Sequence, residues 1–119
     1  VRAFYGYKDY LNFNNRNIAP ACLPYRLAGQ TERKATIVAS GWGTTTAGGQ
    51  NAPSLRKDVC HGDSGGSIDE KIDGKWYAVG VVSYGHGCAH KDEAGVYTRV
   101  SEYTSWIEQN TGINNFCKA

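Results

Sequence analysis

The sequence predicts an all-β fold that is completed by a C-terminal α-helix. Eight Tyr and three Trp occur among its 119 residues, and aromatic side chains suit the pleated surface of a sheet better than a helix. Short β-branched or alternating segments lie between glycine-rich turns, which is the pattern of strands joined by loops. Helical spacing of apolar residues appears near the C-terminus.

Five segments are predicted to be strands: Val1–Tyr7, Ala35–Ser40, Ser67–Ile72, Trp76–Ser83 and Gly95–Val100. Asp73-Gly74 lies between the third and the fourth of them and predicts a tight two-residue hairpin. Ala35–Ser40 and Trp76–Ser83 are rich in apolar residues, so we expect both strands to be buried.

The C-terminal segment predicts one amphipathic helix. Ser101 is a suitable N-cap residue, and Tyr103, Trp106 and Ile107 follow at the spacing that forms one apolar face. Gly112 is expected to end the helix.

Composition excludes several classes of function. The net charge is only +2, and the charges are scattered, so nothing indicates a nucleic-acid patch or an amphipathic membrane face. No apolar run approaches the roughly 20 residues of a membrane span. The cysteines are widely spaced with no C-x-x-C pair, which argues against a zinc site. We therefore expect no cofactor, no nucleic-acid partner and no membrane partner.

Cysteine content also indicates the compartment. Four cysteines in a short chain rich in Gly and Tyr favour an oxidising environment, so we expect a secreted or extracellular protein. The sequence contains no Met, not even at position 1, and we expect that it is not a complete translation product.

The stretch from Asp58 to Ser67 carries the strongest chemical signal. Three glycines surround Ser64 in Cys60-His61-Gly62-Asp63-Ser64-Gly65-Gly66. Glycine allows backbone dihedrals that other residues avoid, so this loop can present the Ser64 hydroxyl and turn the N–H groups of Gly62 and Ser64 to one side. That is the geometry that an acyl-transfer nucleophile and its oxyanion hole require.

This loop resembles the active-serine loop of the trypsin-like serine proteases, which have the chymotrypsin fold. The family usually continues with Pro, where this chain has Ser67. The resemblance extends over most of the chain, from about Lys8 to Gly112, and includes Gly41-Trp42-Gly43, which in the family closes the first strand of the second barrel.

The resemblance implies an incomplete chymotrypsin-like double barrel, mainly the second six-stranded antiparallel barrel with strands missing. Residues 1–24 would be the last part of the first barrel and the linker between barrels. Residues 25–100 would form a shortened second barrel, and residues 101–119 the C-terminal helix and tail.

The family's roles carry over to matching residues of the serine loop. Ser64 matches the nucleophile, and the N–H groups of Gly62 and Ser64 match the oxyanion hole. Asp63 matches the buried carboxylate that pairs with a new N-terminal ammonium after zymogen cleavage. As an alternative, Asp63 would be an ordinary turn-capping residue.

Three residues match the trypsin specificity pocket. Asp58 corresponds to the carboxylate at its base, which selects Arg or Lys by charge pairing, and Gly85 and Gly95 correspond to the glycines that keep the slot open. Cys60 and Cys88 match the disulfide that braces it. The resemblance thus implies protein or peptide substrates with Arg or Lys.

The sequence does not supply the other two members of a Ser-His-Asp triad. In the family the base is the His of an Ala-Ala-His-Cys stretch, and His61, His86 and His90 do not match it. The orienting Asp would fall at or before Val1, and Asp9 reads as a turn residue. We expect the chain alone to be inactive, with its first barrel encoded elsewhere.

Cys22 leaves three alternatives open. In the family the matching cysteine ties an activation chain to the protease body. Cys22 is therefore unpaired, or paired with Cys117, or bonded to a second polypeptide, such as a missing N-terminal protease segment or activation chain. A further family disulfide has its matching positions at Ile37 and Glu70, so both partners are absent together.

An internal block of the family pattern is missing. Pro53–Lys57 resembles the start of a strand but runs directly into Asp58, where the family has a strand pair, a short helix and a disulfide. Either the product is shortened or two segments are joined.

The sequence predicts a trypsin-like endopeptidase. One alternative is an inactive homologue or shortened isoform that acts by protein binding. The other is an unrelated disulfide-stabilised β module.

Overall fold

The computed structural model describes residues 16–17, 19–30, 34–46, 48–55, 60–85 and 95–118. The predicted strand Val1–Tyr7 lies outside these residues, as does Asp9. The described part is mainly an antiparallel sheet with a short α-helix near the C-terminus. The all-β prediction with a C-terminal helix is therefore confirmed.

Four strands form the sheet, and their order in space is their order in the chain. Each neighbour pair is antiparallel. The strands are β1 Ile37–Ala39, β2 Ser67–Ile72, β3 Lys75–Tyr84 and β4 Val96–Arg99. A 3₁₀ turn at Tyr25–Leu27 precedes them, and a second one at Val100–Tyr103 leads into α1, Thr104–Thr111.

The hairpin between β2 and β3 forms at the predicted dipeptide. Asp73 and Gly74 have φ angles of 49° and 81°, and Ile72 pairs with Lys75 across the turn. Positive φ at both central residues is the type I′ geometry, whose twist matches that of the flanking strands.

The register of β1 against β2 agrees with the family pattern. Ile37 lies directly opposite Glu70, and these are the two positions where the resemblance implies a missing disulfide. Opposed residues of an antiparallel pair share one face of the sheet, so the register that the resemblance requires is present.

The prediction that the first described strand is buried was wrong. Ile37 is 44% exposed, whereas Ile68 on β2 is only 2% exposed. In the described residues β1 pairs with β2 alone, so its other edge and much of one face are uncovered. An open cavity of about 260 Å³ lies beside it, lined in part by Ile37, Ile68, Glu70, Val79 and Tyr97.

The start of the helix also differs from the prediction. Ser101 is buried within the 3₁₀ turn, and α1 begins three residues later without a side-chain cap. The expected apolar face is largely uncovered, since Tyr103 is 50% and Trp106 60% exposed. The helix ends as predicted, because Gly112 adopts a left-handed φ of 67° that glycine reaches without a Cβ penalty.

A disulfide joins Cys22 to Cys117. This is one of the three alternatives left open for Cys22, its pairing with Cys117. The sequence separation is 95 residues, and closing a loop of that size stabilises the fold by about 4.5 kcal/mol in the chain-entropy treatment. The Leu23 amide also donates to the Cys117 carbonyl at 2.9 Å.

A polar cluster holds the same tail beside α1. The Tyr25 hydroxyl donates to Glu108 at 2.6 Å, and Lys118 Nζ lies 2.5 Å from the same carboxylate oxygen. Lys118 also lies 4.5 Å from the centre of the Tyr25 ring, within the range of a cation–π contact. We call Tyr25, Glu108 and Lys118 the tail clasp.

The register of β1 and β2 can be tested by restoring a disulfide between them. In an Ile37→Cys, Glu70→Cys variant we expect a new disulfide, because the two residues are directly opposed. Closing this loop should raise the free energy of unfolding by about 3 to 4 kcal/mol relative to the reduced variant. Peptide mapping and urea denaturation measure the two effects. The matched control is Ile37→Cys, Asp69→Cys, because Asp69 points to the opposite face; efficient crosslinking there would contradict the register.

The tail clasp should open at acid pH. The hydrogen bond from Lys118, followed by that from Tyr25, lowers the pKa of Glu108. The pKa of Lys118 is raised by its bond to Glu108, and that of Tyr25 by partial burial and then by Glu108. Because the pKa of Glu108 is lowered in the folded protein, its carboxylate stabilises the fold at pH values above the ordinary pKa of 4.5. This contribution is lost as the pH falls through the lowered pKa. The raised Tyr and Lys pKa values give a contribution that persists until the pH rises through them.

Hydrogen exchange of the Leu23 amide measures the state of this clasp. Relative to its intrinsic rate, we expect exchange to become faster as the pH falls through the lowered pKa of Glu108. Glu108→Gln should remove this pH dependence, and Glu102→Gln, which changes a carboxylate outside the clasp, should keep it. An unchanged profile in Glu108→Gln would show that the clasp does not hold the tail.

Candidate active site

The serine loop, residues 60–66, leads into β2 at Ser67 and forms hydrogen bonds with the 41–44 segment. Gly62 and Gly65 have φ angles of 98° and 84°, and this left-handed region is readily accessible to glycine alone. These two residues turn the chain sharply on either side of Asp63 and Ser64. Asp63 is buried, and Ser64 is exposed.

Among residues 62–66, three backbone amides are hydrogen-bonded and two are not. Asp63 N donates to the Cys60 carbonyl at 3.1 Å, Gly65 N to Val82 at 2.9 Å, and Gly66 N to Asp63 at 2.9 Å. Within the part of the chain that the structure describes, the amides of Gly62 and Ser64 donate no hydrogen bond. Two donors therefore remain available beside the exposed serine, as an oxyanion hole requires.

The Asp63 carboxylate fixes the loop from inside. It accepts hydrogen bonds from the amides of Gly43, at 2.8 Å, and Cys60, at 3.0 Å. Among the described residues no cation contacts it. Two amide donors satisfy a buried carboxylate in part. One of them, the Cys60 amide, lies three residues earlier, as the turn-capping alternative expects, and the pairing of Asp63 with an N-terminal ammonium stays a prediction.

Glycines at positions 41 and 43 make room for this carboxylate. A Cβ on Gly41 would lie 1.8 Å from Asp63 Oδ1, and one on Gly43 would lie 2.3 Å from Oδ2. Sequence reasoning missed this contact and interpreted Gly41-Trp42-Gly43 as the packed end of a strand. Trp42 itself is 60% exposed. A glycine on each side of a Trp was the available signal for close backbone approach.

Thr44 contacts the same loop, and this residue was also missed from the sequence. Its amide donates to the His61 carbonyl at 2.9 Å, and its hydroxyl lies 2.8 Å from Cys60 Sγ. Cys60 is disulfide-bonded, so the hydroxyl is the donor. The predicted partner Cys88 lies outside the described residues, and the Cys60–Cys88 pairing stays a prediction.

Two of the three predicted pocket residues lie close together. A Cβ on Gly85 would meet the Cα of Gly95 at 3.5 Å, so the two glycines are neighbours across the end of β3 and the start of β4. The third, Asp58, lies outside the described residues. A Cβ on Gly95 would clash with the Tyr97 hydroxyl at 2.5 Å.

None of the chain's three histidines is predicted to be the base, and of the three His61 lies among the described residues. No described hydrogen bond involves the Ser64 hydroxyl, and His61 is exposed. His86 and His90 lie outside the described residues. No cluster of three His, Cys, Asp or Glu side chains that could hold a metal occurs in the described ranges, and in those ranges no helix is long and apolar enough to cross a membrane.

Comparisons with known proteins point to one family. The trypsin family model matches residues 51–107. Trypsin-1 of Astacus astacus is 34% identical in an alignment of 134 positions, which takes in 84% of this chain and 55% of that protein. The chain thus spans about half the length of this relative.

The alignment is longer than the part of this chain that it covers. Since 84% of 119 residues is about 100, about 34 of the 134 aligned positions have no counterpart in this chain.

The contact between Gly43 and Asp63 can be tested by adding one methyl group. Gly43→Ala would push the new Cβ against both Asp63 Oδ2 and the His61 carbonyl, which would lie at 2.8 Å. We expect a loss of about 1 to 3 kcal/mol in the free energy of unfolding, measured in urea. Gly85→Ala is the control, because its Cβ meets only an ordinary contact and should cost less than about 0.5 kcal/mol. Equal effects in the two variants would contradict the packing argument.

Proposed function

Since the chain belongs to the trypsin family of serine proteases, we propose that the whole protein is a secreted endopeptidase that cleaves peptide bonds after Arg or Lys. Ser64 is its nucleophile, and the amides of Gly62 and Ser64 form its oxyanion hole. Protein or peptide substrates bind with the Arg or Lys side chain in a pocket formed by Asp58, Gly85 and Gly95.

One observation carries the catalytic part of this proposal. Among residues 62–66, the two amides that the family uses for the oxyanion donate to nothing in the described part of the chain, whereas the amides of Asp63, Gly65 and Gly66 are all engaged. When the Ser64 oxygen attacks a substrate carbonyl, the carbonyl oxygen gains negative charge. Preorganised amide donors stabilise that charge by about 2.7 to 4 kcal/mol per donor where this has been measured.

Charge and space support the specificity. The glycines at 85 and 95 are neighbours, as the resemblance to the trypsin pocket requires, and the Asp58 carboxylate in the sequence would pair with a guanidinium or ammonium group. A bidentate Arg–carboxylate contact gives both strength and geometric selection.

We further propose that the chain alone is inactive because it lacks an operative base. A serine hydroxyl needs a base within hydrogen-bond reach to become a nucleophile, and none of the chain's three histidines matches the family's base. The missing members of the triad would come from a first barrel outside this sequence. Cys22 does not serve as the covalent link to such a segment here, because it is bonded to Cys117.

The alternative function is that of an inactive homologue or shortened isoform that acts by protein binding. The uncovered edge of β1 and the exposed Ile37 favour it, because an unpaired strand can pair with another chain. The intact serine loop favours the protease, since binding alone does not require two free amides beside an exposed serine.

Peptidyl phosphonates with Arg or Phe at the reactive position test nucleophile, base and specificity together. In the complete protein we expect Ser64 to react at least about tenfold faster with the Arg probe, and Asp58→Asn to remove that preference. Asp69→Asn, on β2, is the charge-matched control. The 119-residue chain should react slower with both probes by a factor on the order of 10⁴ or more. Mass spectrometry measures the adduct.

Rapid stoichiometric labelling of the 119-residue chain would contradict the missing base. Equal rates for the two probes in the complete protein would contradict the specificity, and a complete protein inert to both would favour the binding function.

A further inference from the structure

The His61–Gly62 peptide is held by a hydrogen bond on the side opposite to the Gly62 N–H. The Thr44 amide donates to the His61 carbonyl oxygen at 2.9 Å. No cis peptide occurs in the described ranges, and in a planar trans peptide the C=O and N–H bonds point in opposite directions. The bond that fixes the His61 carbonyl therefore also fixes the direction of the Gly62 N–H, away from Thr44.

The second free amide of the loop is oriented by the same device. Gly66 N donates to the Asp63 carbonyl at 2.9 Å, and that carbonyl belongs to the same peptide unit as the Ser64 N–H. The direction of each N–H group is thus fixed by a hydrogen bond that the carbonyl of the same peptide unit accepts. The bond to Asp63 comes from within the serine loop, whereas the bond to His61 comes from a segment 17 positions earlier in the chain.

The orientation of the His61–Gly62 peptide depends on a hydrogen bond from another segment of the chain. Gly62 has a φ of 98°, and a glycine has no Cβ that would resist rotation of the peptide before it. A rotated peptide would turn the Gly62 N–H toward the 41–44 segment and its carbonyl toward the place of the oxyanion. Since an acceptor in that place repels developing negative charge, the direction of this one peptide decides whether the site has two donors or one.

Thr44 is itself anchored on both sides. It forms a bridge with Asn51, and its hydroxyl donates to Cys60 Sγ at 2.8 Å. Next to it, Gly43 bonds to Asp63 through its amide and accepts from Ala52 at 3.0 Å through its carbonyl. The donor that holds the His61 carbonyl is therefore built into a hydrogen-bonded segment.

We propose that Thr44 is a positioning residue whose backbone N–H sets the direction of the Gly62 oxyanion donor. The inference rests on the proposed function, because it assigns that direction a role in binding an oxyanion. The backbone group carries the effect and the side chain does not, which separates this role from ordinary packing.

The test replaces the Thr44 N–H by an oxygen. Semisynthesis with the α-hydroxy acid analogue of Thr gives an ester at position 44 that keeps the side chain. Thr44→Val keeps the N–H and loses the hydroxyl. An ester at position 44 also makes the preceding carbonyl, that of Gly43, a weaker hydrogen-bond acceptor. An ester at Ala52 is therefore the second control, because it removes the hydrogen bond that the Gly43 carbonyl accepts.

Residual dipolar coupling of the Gly62 N–H reports its direction without any ligand. We expect the coupling to change in the Thr44 ester and to stay at the unmodified value in Thr44→Val and in the Ala52 ester. An unchanged coupling in the Thr44 ester would overturn the inference. If that ester does not fold, the unmodified protein decides the matter, because scalar coupling between Thr44 ¹⁵N and His61 ¹³C′ must be present and its absence overturns the inference.

An amidine-bearing phenylboronic acid tests the functional consequence, because its boronate on Ser64 places a charged oxygen at the amides. This measurement uses the complete protein, because the proposed function leaves the 119-residue chain without a base for Ser64. We expect the Thr44 ester to bind at least tenfold more weakly than the unmodified complete protein and the two controls to bind within twofold of it. Equal binding by the Thr44 ester would overturn the positioning role. If the unmodified complete protein does not bind the boronate, the proposed function fails, and the dipolar coupling still decides how the Gly62 N–H is oriented.

Discussion

The Asp63 carboxylate joins two segments that are twenty residues apart in the chain, through hydrogen bonds from the buried amide of Gly43 and from Cys60. Moving a carboxylate out of water without hydrogen-bond donors costs several kcal/mol. These amides must therefore stay in place for the loop to keep its shape. Because the carboxylate lies against the Cα atoms of Gly41 and Gly43, the segment that supplies one amide also limits where the carboxylate can move. Together these contacts constrain the chain on the N-terminal side of Ser64.

The sheet holds the other side of the same loop. Gly65 N donates to the Val82 carbonyl and Val82 N to the Gly66 carbonyl, both at 2.9 Å, so the loop continues the β2–β3 ladder before β2 begins at Ser67. The serine therefore lies between a buried anion and a strand pair. A reactive group held by regular structure on one side and by a satisfied polar contact on the other is positioned more accurately than one on a free loop.

The sequence predicted what depends on local pattern or on the family motif. The β2–β3 hairpin follows from Asp73-Gly74, and the opposition of Ile37 and Glu70 follows from the family's missing disulfide. The Cys22–Cys117 bond and the tail clasp join residues more than eighty positions apart, and no local pattern specifies which distant groups meet. Ser101 resembled an N-cap, but the preceding 3₁₀ turn buries it and moves the start of the helix. Asp58 and Cys88 stay predictions, because they lie outside the described residues.

Amide hydrogen exchange across residues 62–66 tests the central claim most directly, namely that the amides of Asp63, Gly65 and Gly66 are hydrogen-bonded and those of Gly62 and Ser64 are free. After correction for intrinsic rates, we expect Asp63, Gly65 and Gly66 to exchange at least about tenfold slower than Gly62 and Ser64, because exchange requires a bonded amide to open first. Similar rates for all five amides, or protection of Gly62 and Ser64, would contradict the account.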